Sequence, residues 1–462
     1  MFAGFAEREY TPAEGMVPGQ IKCGYAKGKR TPLMAHAAVV ESNGRAAILV
    51  SLDVIFVTVD FANALRERIS EATQVPAEYI MIHTTHTHTG CETDITCWGC
   101  PANPDALIPV AQAAVEAASA AKESCAEVKM GTATGFDGRF NFCRDFFMKD
   151  GRIVTNPGHK CEENLLKPVS VADHSVNVMR FDDLEGNPKA FGVNYANHLD
   201  TNAHYDKFDA DYAGYLRVAL RREYGDDVCV VFLNGCCGDV NHLDFLNHWD
   251  QGTHIREGVL GSEVIGEGLA QTIVNLTPPL VTKEKEVLIQ AKYATFPVAR
   301  RFATPEMKEW AGRFLEYTAK KREAGEKYNR HDELCAIQYL EDESSYPQTV
   351  DVGVHVMQIG EWVIVGLPGE IYSEIGRKIK ALSPFANTVV VELADGSHGY
   401  IAPDYIQRAG CYEGIYSNIA YTGLGTADTL IEGATLMLKG LYETENVVTF
   451  GEVKEKRIYR QM

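Results

Sequence analysis

The sequence predicts a layered α/β fold, with a mixed β-sheet core and flanking helices. Two observations carry this expectation. Short apolar runs rich in branched side chains alternate, from end to end, with segments whose apolar residues recur at helical spacing. The composition is that of an ordinary globular protein, 45% apolar and 23% charged over 462 residues. No low-complexity tract, Gly/Ser linker or fixed-period repeat divides the chain, so a single unit is expected over residues 1–462.

Residues 45–52 (RAAILVSL) and 79–84 (YIMIHT) read as buried strands. Between them Phe61, Leu65 and Ile69 recur every four residues, on one face of a helix. An Ala-rich helix is expected over 106–121, strands over 174–180 and 190–196, and a helix over 209–223. The run 228–233 (VCVVFL) is a further buried strand. A helix follows it, with a stripe of Leu260, Val264, Ile265, Leu269 and Ile273. Residues 306–345 are highly charged and read as a solvated helical insertion or a lid, anchored by Trp310, Phe314 and Tyr317. Strands at 351–359 and 361–366 lead into a helix beginning near Glu370. A strand over 388–393 precedes a Gly- and Tyr-rich loop and a final helix near 425–440. Functional residues are expected where strands hand over to loops, because rigid strands fix the loop ends.

The 44 basic and 63 acidic residues leave a net charge of −19. Such a surface repels phosphate backbones and anionic lipid heads, so a small-molecule substrate is expected, with no nucleic-acid partner. No stable membrane insertion is expected either. The most apolar stretch, between Arg45 and Asp60, is interrupted by Asp53 and falls short of the ~20 residues a spanning helix needs. The first ten residues carry neither a basic n-region nor an apolar h-region, so no secretory signal is read. With only twelve cysteines, reduced thiols and a cytoplasmic protein are expected.

Five segments can carry chemistry. In His83-Thr-Thr-His86-Thr-His88-Thr-Gly90, strand alternation puts His86 and His88 on the same side. There both imidazoles can approach one metal ion, or one can bind it while the other transfers protons; the pair can also simply cap a strand end. His83 falls on the opposite face and reads as structural. His198, just after the strand 190–196 and followed by Asp200 and His204, is a second ligand candidate or a satisfied loop histidine. In Gly366-Leu-Pro-Gly-Glu370 an acidic residue opens a helix, a position the macrodipole favours without any function. Tyr400 and Tyr412 lie twelve residues apart in a Gly-rich loop, where packing is the ordinary role. The run Asn234-Gly235-Cys-Cys-Gly238-Asp-Val-Asn241 leaves a buried strand with glycines that allow close approach to a ligand and can turn N–H groups toward an oxyanion.

In this order these segments, with the opening Ala3-Gly4 through Thr11-Pro12 and the run Asp209–Tyr215, resemble the neutral, non-lysosomal ceramidase family over most of the chain. The resemblance is to the family's N-terminal catalytic domain, and no C-terminal β-domain is expected. It implies Zn²⁺ held by His86, His198, Glu370 and Tyr400, a ligand set close to the His₂Glu shell of many zinc hydrolases. It implies that Tyr412 contacts the scissile amide, that His88 transfers protons or lies beside the ligands, and that Arg144 faces the substrate. One departure changes the expected chemistry. Where the family's ceramidases carry a serine nucleophile this chain has Asn241, whose amide cannot take that role.

Zinc-activated water is expected to attack instead, since the ion lowers the pKa of water from 15.7 to about 7. Tyr412 and the 235–241 backbone would stabilise the oxyanion. The expected activity is zinc-dependent hydrolysis of an amide C–N bond in a small N-acyl or amphiphilic substrate. Two alternatives stand beside it: a metal-dependent hydrolase or lyase acting on a different bond, such as in a carbohydrate derivative, and a non-catalytic binding protein. Cys91, Cys97 and Cys100, and the pair Cys236–Cys237, read as buried unreactive thiols, with a structural zinc or redox site as the alternative. No G-x-S-x-G elbow is present.

Overall fold

The computed structural model describes residues 1–449, apart from 21, 98, 159–161, 203, 247–248, 251–260 and 277–285. Three sheets dominate it, and each contains one parallel pair joined by a helix. The first sheet runs in the order Ile80–Thr84, Arg45–Leu52, Met34–Ser42, Phe2–Glu9, Ala126–Glu127. Its parallel pair, 45–52 and 80–84, is bridged by the helix Val59–Thr73. That helix starts where the Thr58 side chain accepts from Phe61 N and stops at Gln74, which takes a left-handed conformation. The second sheet runs Cys229–Asn234, Pro188–Tyr195, Ser175–Asp182, Lys129–Phe136, its parallel pair bridged by the helix Asp211–Tyr224. In the third, Ile289–Ala299, Thr349–Ile359, Trp362–Gly366 and Asn387–Val391 pair in that order, with Ser373–Leu382 as the bridging helix.

Alternation along the strands divides the core. Ile48 and Val39 face one cluster while Leu49 and Val40 face another. One face of every sheet contributes to a shared core that includes Leu49, Met81, Phe181, Val231, Trp362 and Val389. Each opposite face is covered by helices, through Leu65 and Val110 on the first sheet, Leu216 and Leu269 on the second, and Ile375 and Leu438 on the third. Strands buried on both faces read as unbroken apolar runs, which is why RAAILVSL and VCVVFL stand out in the sequence. Each such side chain, fully buried, contributes ~1.5–3 kcal/mol.

The expected strands are found, within a few residues of their anticipated limits, and so are the helices Leu107–Glu123, Asp211–Tyr224, Gly261–Leu276 and Thr426–Thr449. Three details differ. The charged segment 306–345 forms two helices, Pro305–Glu323 and Arg330–Tyr339, but Tyr317 is 47% exposed and anchors nothing; Trp310 stacks on Phe314 at 4.9 Å and faces Tyr339. Val264 is 36% exposed, off the buried stripe that Ile265, Leu269 and Ile273 form, while Leu260 lies outside the described residues. No helix begins at Glu370: Glu370–Ile371 is a short strand paired in parallel with Tyr400–Ile401, and the helix starts at Ser373. Among the described residues no helix is long and apolar enough to cross a membrane.

Candidate metal-binding site

Six candidate residues follow the C-terminal end of a strand from a parallel pair, whereas Arg144 follows the short antiparallel strand Phe142–Cys143 and Tyr412 the helix Asp404–Ala409. His86 and His88 follow 80–84, His198 follows 188–195, Asn241 follows 229–234, Glu370 follows 362–366 and Tyr400 follows 387–391. The route to His86 and His88 is not the one strand alternation implies. Strand Ile80–Thr84 ends before them, and His86 turns into the left-handed region with φ 75°. The imidazoles nevertheless converge, with ring centroids 4.9 Å apart, because main-chain hydrogen bonds fix both residues. His86 N donates to Val54 O at 3.0 Å, and His88 N donates to Leu199 O at 3.0 Å. The second bond ties the HTHTG segment directly to the segment of His198, whose ring centroid lies 4.7 Å from that of His86.

All three imidazoles are held in one tautomer. Nδ1 of His86 meets Ile55 O at 2.9 Å, Nδ1 of His88 meets Gly19 O at 2.7 Å, and Nδ1 of His198 meets the carbonyls of Cys237 and Val240 at 2.9 and 3.0 Å. A carbonyl only accepts, so each Nδ1 carries the proton and each Nε2 presents a lone pair. Those lone pairs converge. Nε2 of His86 lies 3.4 Å from Nε2 of His88 and 3.3 Å from Glu370 Oε2. His198 Nε2 lies 3.5 Å from the same oxygen and 3.4 Å from the Tyr400 hydroxyl.

Glu370 is fully buried, and neither of its carboxylate oxygens takes a hydrogen bond. Burial would raise its pKa, but His86 and His198 outweigh that and hold it well below the usual carboxylate range. Burial also opposes a charge on His86, yet Glu370 lifts that imidazole's pKa, so proton and cation compete for the same nitrogen. A tetrahedral ion with ligands at ~2.0–2.1 Å has ligand-to-ligand edges of about 3.3–3.4 Å. The nitrogen and carboxylate donors, their spacing and the orphaned carboxylate therefore fit a zinc ion.

Arg144 is 4% exposed and stands against this cluster. Its Nε donates to Glu413 Oε1 at 2.8 Å, its Nη2 to Gly238 O and the Tyr400 hydroxyl at 2.7 and 3.1 Å, and its Nη1 faces His198 Nε2 at 3.2 Å. The guanidinium lies 5.7 Å from the ring centroids of both Tyr400 and Tyr412, which are themselves 5.5 Å apart. Asn241 is braced at both ends of its amide: Nδ2 donates to Asn156 Oδ1 and Oδ1 accepts from Leu243 N, each at 3.0 Å. Together His88, Arg144, His198, Asn241, Tyr400 and Tyr412 line a cavity of ≈310 Å³. Cavities of ≈870 and ≈580 Å³ lie elsewhere, but no candidate ligand lines them.

Four N–H groups of the 235–241 backbone are not available as the oxyanion donors the sequence suggested. The N–H groups of Gly235, Cys237, Gly238 and Val240 already donate to Tyr195 O, Glu392 Oε2, Ile371 O and Cys237 O. His83 is structural, accepting from Asn234 N at 3.0 Å, and His204 is exposed and apart from the cluster. Cys91, Cys97 and Cys100 are buried, and burial pushes Cys91 and Cys100 up to about 12 and Cys97 well above the usual thiol range, which disfavours the thiolate. Three residues lining or bordering the cavity are given no role by the sequence. Asp200 and His242 form a buried pair, Oδ1 to Nδ1 3.2 Å, and Glu413 neutralises Arg144. Their only signal was adjacency, to His198, Asn241 and Tyr412 respectively.

No protein-family model matches the sequence, and no curated protein matches it. Solved ceramidase structures share its fold. A ceramidase complexed with C2 superimposes with a TM-score of 0.71 at 15% identity, covering 96% of this chain and 75% of that one. Neutral ceramidase from Pseudomonas aeruginosa gives 0.70 at 15% identity, covering 96% and 74%. The likeness is one of fold, and it spans almost the whole of this chain.

Proposed function

We propose that this chain is a zinc-dependent hydrolase of the ceramidase-like family that cleaves an amide C–N bond in a small N-acyl or amphiphilic compound. The observation that carries this reading is the convergence of the His86 and His198 Nε2 lone pairs on the buried, orphaned carboxylate of Glu370, with His88 Nε2 beside that of His86. A fold shared with ceramidases supports the bond type. His86, His198 and Glu370 would hold the ion, with the Tyr400 hydroxyl and His88 Nε2 within reach of the same point. Bound there, zinc would polarise the scissile carbonyl and lower the pKa of a nearby water.

The chain's own residues would do the rest. Arg144, neutralised by Glu413, fixes the Tyr400 hydroxyl and keeps the cavity wall rigid. Tyr412, at the edge of the cavity, would donate its hydroxyl to the carbonyl oxygen as negative charge develops there. Asn241, with both ends of its amide engaged, braces the loop and leaves the attack to water. A volume of ≈310 Å³ is near the lower limit of ligand cavities, ~300–1,000 Å³, which favours a short N-acyl group.

Zinc analysis of purified protein, paired with a screen of short-chain N-acyl amides, tests the reading. Stoichiometric zinc that is lost in His86→Ala, together with release of free amine by the wild type, is the expected result. Equal zinc in both proteins would remove His86 from the ligand set, and a zinc-loaded protein that releases no amine would overturn the hydrolase assignment.

A further inference from the structure

Arg300, just after the strand Ile289–Ala299, carries a charge that the proposed hydrolysis does not use. Its backbone N donates to Gln348 O at 2.9 Å, which fixes the root of the side chain. The guanidinium carbon stands 4.4 Å from the ring centroid of Tyr346 and 4.6 Å from that of Tyr421. Tyr421 is steadied in turn by His398, whose Nδ1 lies 2.9 Å from the phenol oxygen. Ring faces stabilise the cation but satisfy none of the N–H groups in the guanidinium plane. Arg300 Nε is buried without a partner, and among the described residues no carboxylate lies within ion-pair distance of the group.

The same residue lines the cavity of ≈870 Å³, which shares no lining residue with the one beside the candidate metal. Buried Phe56 and Ile419, with Tyr416, give it an apolar and aromatic wall. Its least exposed carboxylate, Glu343, is already engaged by Lys308 at 3.5 Å, by the Tyr416 hydroxyl and by Ala303 N at 3.1 Å. The other acids of the lining, Asp60, Glu341 and Asp351, are exposed.

We infer that this cavity binds a small monocarboxylate with an apolar body, its carboxylate taken by the N–H edge of Arg300. A planar guanidinium matches a carboxylate through two parallel N–H···O bonds, the anion the orphaned donors call for. Phe56, Tyr416 and Ile419 would cover the apolar part. The exposed acids repel a phosphate dianion more than a monoanion, which selects the carboxylate. The volume lies within the ~300–1,000 Å³ range of ligand cavities. No bond is made or broken at this site, and it stands whether or not the hydrolase reading holds.

Isothermal titration calorimetry of the full chain tests it, with octanoate and benzoate as the acids and octanamide, octylamine and inorganic phosphate as the controls. One acid should bind per chain, with each control about tenfold weaker or more. Arg300→Lys keeps the charge but loses the fork, and should weaken the acid about tenfold or more at an unchanged melting temperature. His86→Ala should bind the acid as the wild type does, because the candidate metal takes no part. Four results overturn the inference: no saturable binding of either acid, a control that binds as tightly, an Arg300→Lys affinity within a few-fold of wild type, or loss of binding in His86→Ala, which would put the carboxylate on zinc.

Discussion

The Nε2 atoms of His86 and His88 lie 3.4 Å apart, although the strand leading to them has already ended and His86 sits at φ 75°. A left-handed conformation at a non-glycine residue costs ~1–3 kcal/mol and persists only when the surroundings impose it. Here they do, through His86 N to Val54 O and Nδ1 to Ile55 O. Of the candidate ligands His86, His198, Glu370 and Tyr400, His86 alone takes this conformation.

Zinc affinity is the first consequence. His86→Ala, His198→Ala and Glu370→Gln should each weaken zinc binding by more than the ~10–100-fold typical of losing a residue that merely supports a ligand. The exposed His204→Ala should leave it unchanged. Competition with a chromophoric chelator measures all four.

Gly399 offers a test away from the ligands themselves. Its φ is +72°, a Cβ there would meet Ile419 O at 2.2 Å, and its carbonyl accepts from Glu370 N at 2.9 Å. Gly399→Ala should therefore displace Glu370 and Tyr400 together, lowering both zinc content and the melting temperature. An unchanged zinc content would show that this backbone approach does not set the site.

The Arg144–Glu413 pair is buried on both sides, at 4% and 0% side-chain exposure. Arg144→Met leaves Glu413 uncompensated and should cost about 3–5 kcal/mol in urea unfolding. Adding Glu413→Gln should recover much of that loss, since the penalty comes from the orphaned charge.

Tyr412→Phe removes one hydroxyl at the cavity edge. Losing a single oxyanion donor costs ~2.7–4 kcal/mol, so kcat on a cleaved N-acyl probe should fall roughly a hundredfold or more while zinc content holds. Near-normal turnover would discard the role.

Stability against acid should depend on Asp395, five residues before Tyr400 in the chain. Burial would raise its pKa, but His355 at 2.6 Å and Arg66 at 2.8 Å bring it down to about 2 from the ordinary 3.8. A folded-state pKa below the unfolded one contributes stability above pH ~4, and that contribution disappears as the pH falls toward 2. The amount is about 2 kcal/mol. Asp395→Asn should unfold more readily than wild type at neutral pH, and the gap should close between pH 4 and pH 2 in an acid titration followed by circular dichroism.

Much of the architecture was legible in the residues alone. Runs such as RAAILVSL and VCVVFL declare buried strands because hydrophobic period and side-chain branching act over neighbouring residues. His86, His198, Glu370 and Tyr400 could be named through a resemblance in their order along the chain, but their spacing alone left each with an ordinary structural role. The pleat argument brought His86 and His88 together by a wrong route, since local alternation cannot foresee that main-chain bonds to Val54 and Leu199 take over where the strand stops. Glu370 was misplaced at a helix start for the same reason: its partner strand, Tyr400–Ile401, lies thirty residues away in sequence.

By itself, then, the sequence determined which segments become strands and helices, since those preferences are written in side chains a few residues apart. The tertiary structure decided that His86 and His198 meet one carboxylate with His88 beside them, that the amides of Gly235, Cys237, Gly238 and Val240 are already spent on other carbonyl and carboxylate oxygens, and that Asp200 meets His242. Each of these joins residues brought together only by the packing of three sheets around a common core, and distances of that kind leave no trace in local periodicity.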